Sequence, residues 1–119
     1  MNYKIFHPSK KINCEIELPS SKSISNRVLI IRALCKKKFK IDNLSASDDT
    51  NALNINLKKN KNIINIGASG TTFRFLTAYL ACKEGVDCIL TGSDRIQNRP
   101  IDQLVNTLND LGADISYVK

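Results

Sequence analysis

The chain pivots on Leu18-Pro-Ser-Ser-Lys-Ser-Ile-Ser-Asn-Arg27. A short apolar strand pattern runs into it, and a strongly apolar helical pattern runs out of it. Between the two stand Ser20, Ser21, Ser23 and Ser25, together with Lys22, Asn26 and Arg27. A helix opening here leaves its first-turn amides without intrahelical partners, and its dipole is positive at that end. Hydroxyls and two cations at such a terminus make an anion site, with phosphate or carboxylate as the expected guest.

Upstream, Tyr3–His7 and Asn13–Leu18 read as short strands, the second alternating Cys14, Ile16 and Leu18 with Asn13, Glu15 and Glu17. Pro19 ends it. Downstream, Ser23 or Ser25 is the expected N-cap of a helix reaching about Cys35, striped by Ile24, Val28, Ile31 and Cys35. Leu29, Ile30 and Leu34 widen that stripe, so the helix should be largely buried. Phe39–Asn43 reads as a strand, and Ser47-Asp48-Asp49 opens a second helix from Thr50 to about Lys59. Asn62–Ile66 is a brief strand, and the small residues of Gly67–Thr72 open a helix over Thr71–Glu84 that Gly85 stops. Phe73, Leu76, Thr77 and Leu80 share a face of it.

Val86–Thr91 is the next strand. Arg95 and Arg99 precede Pro100, expected at a first helical position. The last helix repeats Ile101, Leu104, Val105, Leu108 and Leu111 and closes at Gly112, before a final strand over Ala113–Val118. Strands alternate with helices, which places the chain in the α/β class. The helix starts around Ser23, Gly70 and Arg99 all carry anion-friendly chemistry.

Composition narrows the classes. At 119 residues the chain is one domain or a piece of a larger protein, and 42% hydrophobic residues suffice for a core. No apolar run reaches the length of a membrane span and no leader pattern is present, so a soluble cytoplasmic protein is expected. The net charge of +7 invites nucleic acid. Most lysines, however, fall in loop-like runs such as Lys36-Lys37-Lys38 and Lys58-Lys59-Asn60-Lys61, and no aromatic platform accompanies them. Every arginine except Arg32 sits beside a turn rich in Ser, Thr or Gly, where bidentate oxyanion recognition wants it.

The 4 cysteines form no C-x-x-C pair and lie apart from the single His7, which argues against a metal site and for reduced, buried thiols. The Gly67–Thr72 loop lacks the Gly-Lys-Ser/Thr ending of a nucleotide-binding P-loop. Plain alternatives stand beside each motif: a capped polar turn at Ser23, a solvated charge pair of Arg95 and Arg99 with Asp94 and Asp102, and simple capping by Asp48-Asp49.

In order and spacing, Leu18–Arg27, Asn43-Leu-Ser-Ala-Ser-Asp-Asp49, Gly67-Ala-Ser-Gly-Thr-Thr-Phe-Arg74 and Leu90-Thr-Gly-Ser-Asp-Arg-Ile-Gln-Asn-Arg-Pro-Ile101 match one family. With Leu104-Val105 and Leu111-Gly-Ala113 they cover essentially the whole chain, which resembles the N-terminal part of the EPSP synthases of bacterial type, the 3-phosphoshikimate 1-carboxyvinyltransferases. The resemblance implies transfer of the enolpyruvyl group of phosphoenolpyruvate to the 5-hydroxyl of shikimate 3-phosphate, with release of phosphate. It implies no metal and no organic cofactor, and a cytoplasmic, monomeric enzyme of the shikimate pathway of aromatic amino-acid biosynthesis.

The implied fold is an inside-out α/β barrel of repeated β-α-β-α-β-β units in two lobes, truncated here. Residues 1–18 would be first strands of the C-terminal lobe, and residues 19–119 the first part of the N-terminal lobe. Carried over residue by residue, Lys22, Ser23 and Arg27 correspond to shikimate 3-phosphate ligands. Lys22, Gly70 and Arg99 correspond to phosphoenolpyruvate ligands, and Asp49 to an acidic residue near the cleft. The family's proton-transfer groups lie outside this chain, so by itself it should have no turnover without the remainder of the two-lobed enzyme. Ala68 and Phe75 depart from the Asn and Pro of many members, which leaves inhibitor sensitivity open, and the span from Asp49 to Gly67 is shorter than in many. The alternatives are the sister UDP-N-acetylglucosamine enolpyruvyl transferase, which typically has Lys-Asn at Lys22-Ser23, and a non-catalytic anion-binding module.

Overall fold

The computed structural model describes residues 1–58 and 61–118. Among the described residues, five helices and two strands follow in the order α1 (Lys22–Leu34), α2 (Asp48–Asn56), β1 (Ile63–Asn65), α3 (Gly70–Ala81), β2 (Ile89–Thr91), α4 (Asp94–Gln97) and α5 (Asp102–Asp110). The strands are parallel, with Ile63 opposite Ile89 and Asn65 opposite Thr91. A parallel pair needs a crossover, and α3 supplies it, so β1–α3–β2 is a βαβ unit. The α/β class holds as a mixture of helices with a small parallel sheet.

The core gathers where that unit meets the first two helices. Leu29 of α1, Leu53 of α2, Ile64 and Ile66 of β1 and its exit, Leu76 and Tyr79 of α3, and Ile96 of α4 form one buried cluster. Helix α1 packs on α2 and α3, α2 packs on α3, and α3 packs on α5.

The helix ends show why the chain turns where it does. Ser21, Ser47 and Ser69 cap α1, α2 and α3, each accepting a hydrogen bond from the amide three residues on. Asp48 and Asp49 sit in the positive first turn of α2. Helix α5 ends in a Schellman motif: the Gly112 amide donates to the Asn109 carbonyl and the Ala113 amide to that of Leu108, with Gly112 at φ 100°.

Several expectations are corrected. The N-cap of α1 is Ser21, not Ser23 or Ser25. Its buried face is Ser25, Asn26 and Leu29, whereas Ile24 and Ile31 are 65% and 54% exposed, so the helix is half-buried. Apolar residues surround this helix, so its stripe alone does not fix which side faces the core; the contacts of Asn26 and Ser25 with the α2 region do. Pro100 precedes the Ile101 cap of α5 instead of opening the helix, because the unexpected short helix α4 occupies the approach.

Strands are absent over Tyr3–His7, Asn13–Leu18, Phe39–Asn43 and Ala113–Val118. Their backbone groups have no neighbouring edge among the described residues to pair with. Helix α2 ends at Asn56, and the expected end at Lys59 lies outside the described residues. Residues 1–19 are exposed throughout, and the radius of gyration of 18.6 Å exceeds the about 13.5 Å of a compact globule of this length. Nor are all thiols buried: Cys14 and Cys82 are exposed, Cys35 and Cys88 partly so, and all are free. Burial, with Asp87 adding to it, raises the pKa of Cys88.

Candidate functional site

Two pairs of candidate residues from distant motifs come together. The first joins α1 to α2. The Lys22 ammonium lies 2.9 Å from the Asp49 carboxylate, with the lysine side chain 52% and the aspartate 23% exposed. Such an ion pair contributes less than about 1 kcal/mol to stability, so its consequence is positional. One donor of the ammonium is spent on Asp49, and the others face outward from the start of α1.

Each serine of the opening stretch has a structural partner. Ser20 donates to the Asn43 side-chain oxygen, and Ser21 caps the helix. The Ser23 hydroxyl and carbonyl both accept from the Arg27 guanidinium, the carbonyl at 3.0 Å. Ser25 is buried and accepts from the Ser45 amide at 3.0 Å. Asn26 is a core residue, fully buried, with its side-chain oxygen accepting from the Thr50 hydroxyl at 2.8 Å. Its amide nitrogen has no partner. That leaves Lys22, Ser23 and Arg27 as the exposed polar set, and Arg27 is further seated over the Phe75 ring, 5.9 Å from its centroid.

The second pair joins the loops that leave the carboxyl ends of β1 and β2, where ligands of open parallel sheets bind. Gly70 is buried at the first position of α3. A Cβ there would collide with the Arg99 guanidinium, lying 2.8 Å from its Cζ. Arg99 therefore fills the space that glycine leaves open. The two loops are stitched together: the Ser93 amide donates to the Gly67 carbonyl at 2.9 Å, and a Cβ at Gly92 would sit 2.5 Å from that same oxygen. Gln97 donates to the Gly92 carbonyl, and Arg74 to the Pro100 carbonyl at 3.0 Å, which fixes the turn that carries Arg99.

A hydroxyl relay connects the pairs. Thr72, wholly buried, accepts from the Ser69 hydroxyl and donates to the Asp49 carbonyl at 2.9 Å. Thus Asp49, on the Lys22 side, is held by the first turn of α3, on the Gly70 side. Thr72 and Thr50 are residues that the sequence did not single out for the site, and Arg74 and Phe75 stood out only as an arginine beside a turn and as a departure from the family's Pro. Their partners are more than 20 residues distant, and no local pattern signals such pairings. At the third helix start, around Arg99, α5 begins on Ile101 without a side-chain cap and carries Asp102 in its first turn. Among the described residues, Arg95 and Arg99 form no ion pair with Asp94 or Asp102, no His/Cys/Asp/Glu cluster suits a metal, and no helix is long and apolar enough to cross a membrane.

Proteins named 3-phosphoshikimate 1-carboxyvinyltransferase are similar over the entire chain: one of Bacteroides fragilis strain YCH46 is 50% identical over 119 residues, all of this chain and 28% of that protein. One of Colwellia psychrerythraea is 39% identical across 146 alignment positions, covering all of this chain and 34% of that protein. The longer alignment means that the Colwellia protein carries residues this chain lacks, whereas the Bacteroides protein matches position for position. The chain spans about 28% of the length of the first of these relatives. No solved structure matches it. The family model for EPSP synthase (3-phosphoshikimate 1-carboxyvinyltransferase) matches residues 6–59 and 53–119, and the chain belongs to that family.

Proposed function

We propose that this chain forms one wall of the cleft in which an EPSP synthase transfers the enolpyruvyl group of phosphoenolpyruvate to the 5-hydroxyl of shikimate 3-phosphate. Lys22, Ser23 and Arg27 receive the shikimate 3-phosphate. Lys22, Gly70 and Arg99 receive phosphoenolpyruvate, and Asp49 orients the Lys22 ammonium between them. Within the family's two-lobed barrel, residues 1–18 belong to the C-terminal lobe and residues 19–119 to the N-terminal one. The observation that carries the reading is the meeting of residues from distant motifs as Lys22 with Asp49 and Gly70 with Arg99.

The chemistry fits both substrates, which are polyanions. Arg27 and Arg99 offer planar forks for phosphate or carboxylate, and Lys22 offers a compact charge that two ligands share. Close approach of a ligand to the start of α3 adds free amides and the positive dipole end. The chain holds and orients substrates, and the proton transfers fall to groups outside it, so the purified chain has no turnover. Ser23 beside Lys22 favours shikimate 3-phosphate over the UDP-N-acetylglucosamine of the sister transferases. Calorimetry of the purified chain with shikimate 3-phosphate, phosphoenolpyruvate and UDP-N-acetylglucosamine tests the reading.

A further inference from the structure

We propose that Thr72 is a positioning residue that ties the two halves of the anion site together, so that a hydroxyl on the Gly70 side sets the geometry of Lys22 on the other. The inference rests on the proposed function for the identity of the ligands. The coupling itself rests on contacts within the chain.

Thr72 is completely buried, and its hydroxyl is used twice. It accepts from Ser69, whose oxygen also takes the Thr72 amide as the cap of α3, and it donates to the main-chain carbonyl of Asp49. The Asp49 carboxylate in turn meets the Lys22 ammonium at 2.9 Å. An unbroken path therefore runs from the cap of α3, beside Gly70 and Arg99, to the lysine at the start of α1. Among the described residues, the other polar links between α1 and the α2 region are Ser25 with Ser45 and Asn26 with Thr50. Those bonds fix the two helices against each other, and both come from α1. From α3, the polar link to the first turn of α2 among the described residues is that of Thr72 to Asp49.

Lys22 is half exposed on a flexible four-carbon stem, so its pairing with Asp49 depends on where the backbone of residue 49 is held. A lysine already placed loses less freedom when a ligand arrives. The net value of a neutral hydrogen bond corresponds to a change of about three- to tenfold in binding.

The test compares Thr72→Ser with Thr72→Ala, which differ by one oxygen, in the purified chain. Thr72→Ala weakens shikimate 3-phosphate binding by about three- to tenfold, although Thr72 lies on the phosphoenolpyruvate side, and Thr72→Ser restores it. In an Asp49→Asn background Thr72→Ala adds nothing further, because the carboxylate that it places is gone; a purely structural role predicts an undiminished loss. A ligand-free arm reads the nuclear Overhauser contact between the Lys22 ε-methylene and the Asp49 β-protons, present in the parent and in Thr72→Ser and lost in Thr72→Ala. If Thr72→Ala does not fold, Thr72→Val, which fills the volume, takes its place. Failure of both to fold, or a Thr72→Ala or Thr72→Val chain that keeps the contact and the affinity, overturns the inference. A parent chain that keeps the contact and binds neither substrate overturns the substrate assignment instead, and the ligand-free arm still decides the role of Thr72.

Discussion

Gly70 and Arg99 show how one missing atom organises a site. The guanidinium lies where the Cβ of any other residue would be, and because Arg99 is an exposed, flexible side chain it is the group that yields. Gly70→Ala should therefore fold normally and displace the Arg99 fork. Phosphoenolpyruvate binding should weaken by about tenfold or more, the scale of a lost charged hydrogen bond, with a smaller effect on shikimate 3-phosphate. Titration of both ligands into the variant checks this, and an equal or larger effect on the shikimate ligand contradicts it. At this scale the sequence marks residues whose type is chemically distinctive. Lys22, Arg27, Gly70 and Arg99 stand out by charge or by lacking a side chain. The burial of Asn26 did not show, since an asparagine next to an arginine at a helix start looks like a ligand until a partner 24 residues away claims it.

The helices illustrate the same division. Caps were legible within a few residues, because Ser and Asp at a helix start satisfy local amides and need no tertiary context. The face of α1 was not, since apolar residues occur around most of its circumference and packing decides between them. Leu29 is 3% exposed and Ile31 54%. Leu29→Ala should cost about 2–5 kcal/mol, whereas Ile31→Ala should cost about 0.5 kcal/mol or less. Urea unfolding of the two variants measures the difference, and comparable losses would restore the stripe of Ile24, Val28 and Ile31 as the buried one. Strands were the least legible elements. Alternation marks a segment able to pair, but a strand forms only against an edge, and among the described residues only Ile63–Asn65 and Ile89–Thr91 find one.

For the molecule as a whole, the core lies in the β1–α3–β2 unit with α1, α2 and α4, and residues 1–19 take no part in it. Their hydrogen bonds run only to one another. Deleting residues 1–18 should leave stability within about 0.5 kcal/mol of the parent; a thermal midpoint many degrees lower would place the segment in the fold. A groove of about 1060 Å³ opens beside Arg99, lined by Phe73, Thr77 and Leu80 of α3, Val105 of α5, and Ile115 and Tyr117. The candidate residues Lys22, Asp49 and Gly70 stand on helices that the core holds. Titration calorimetry of the intact chain with shikimate 3-phosphate should give one binding site per chain, weakened by Arg27→Ala, with no heat from UDP-N-acetylglucosamine. No binding of shikimate 3-phosphate by a folded chain, or a preference for the nucleotide sugar, would contradict the proposed function.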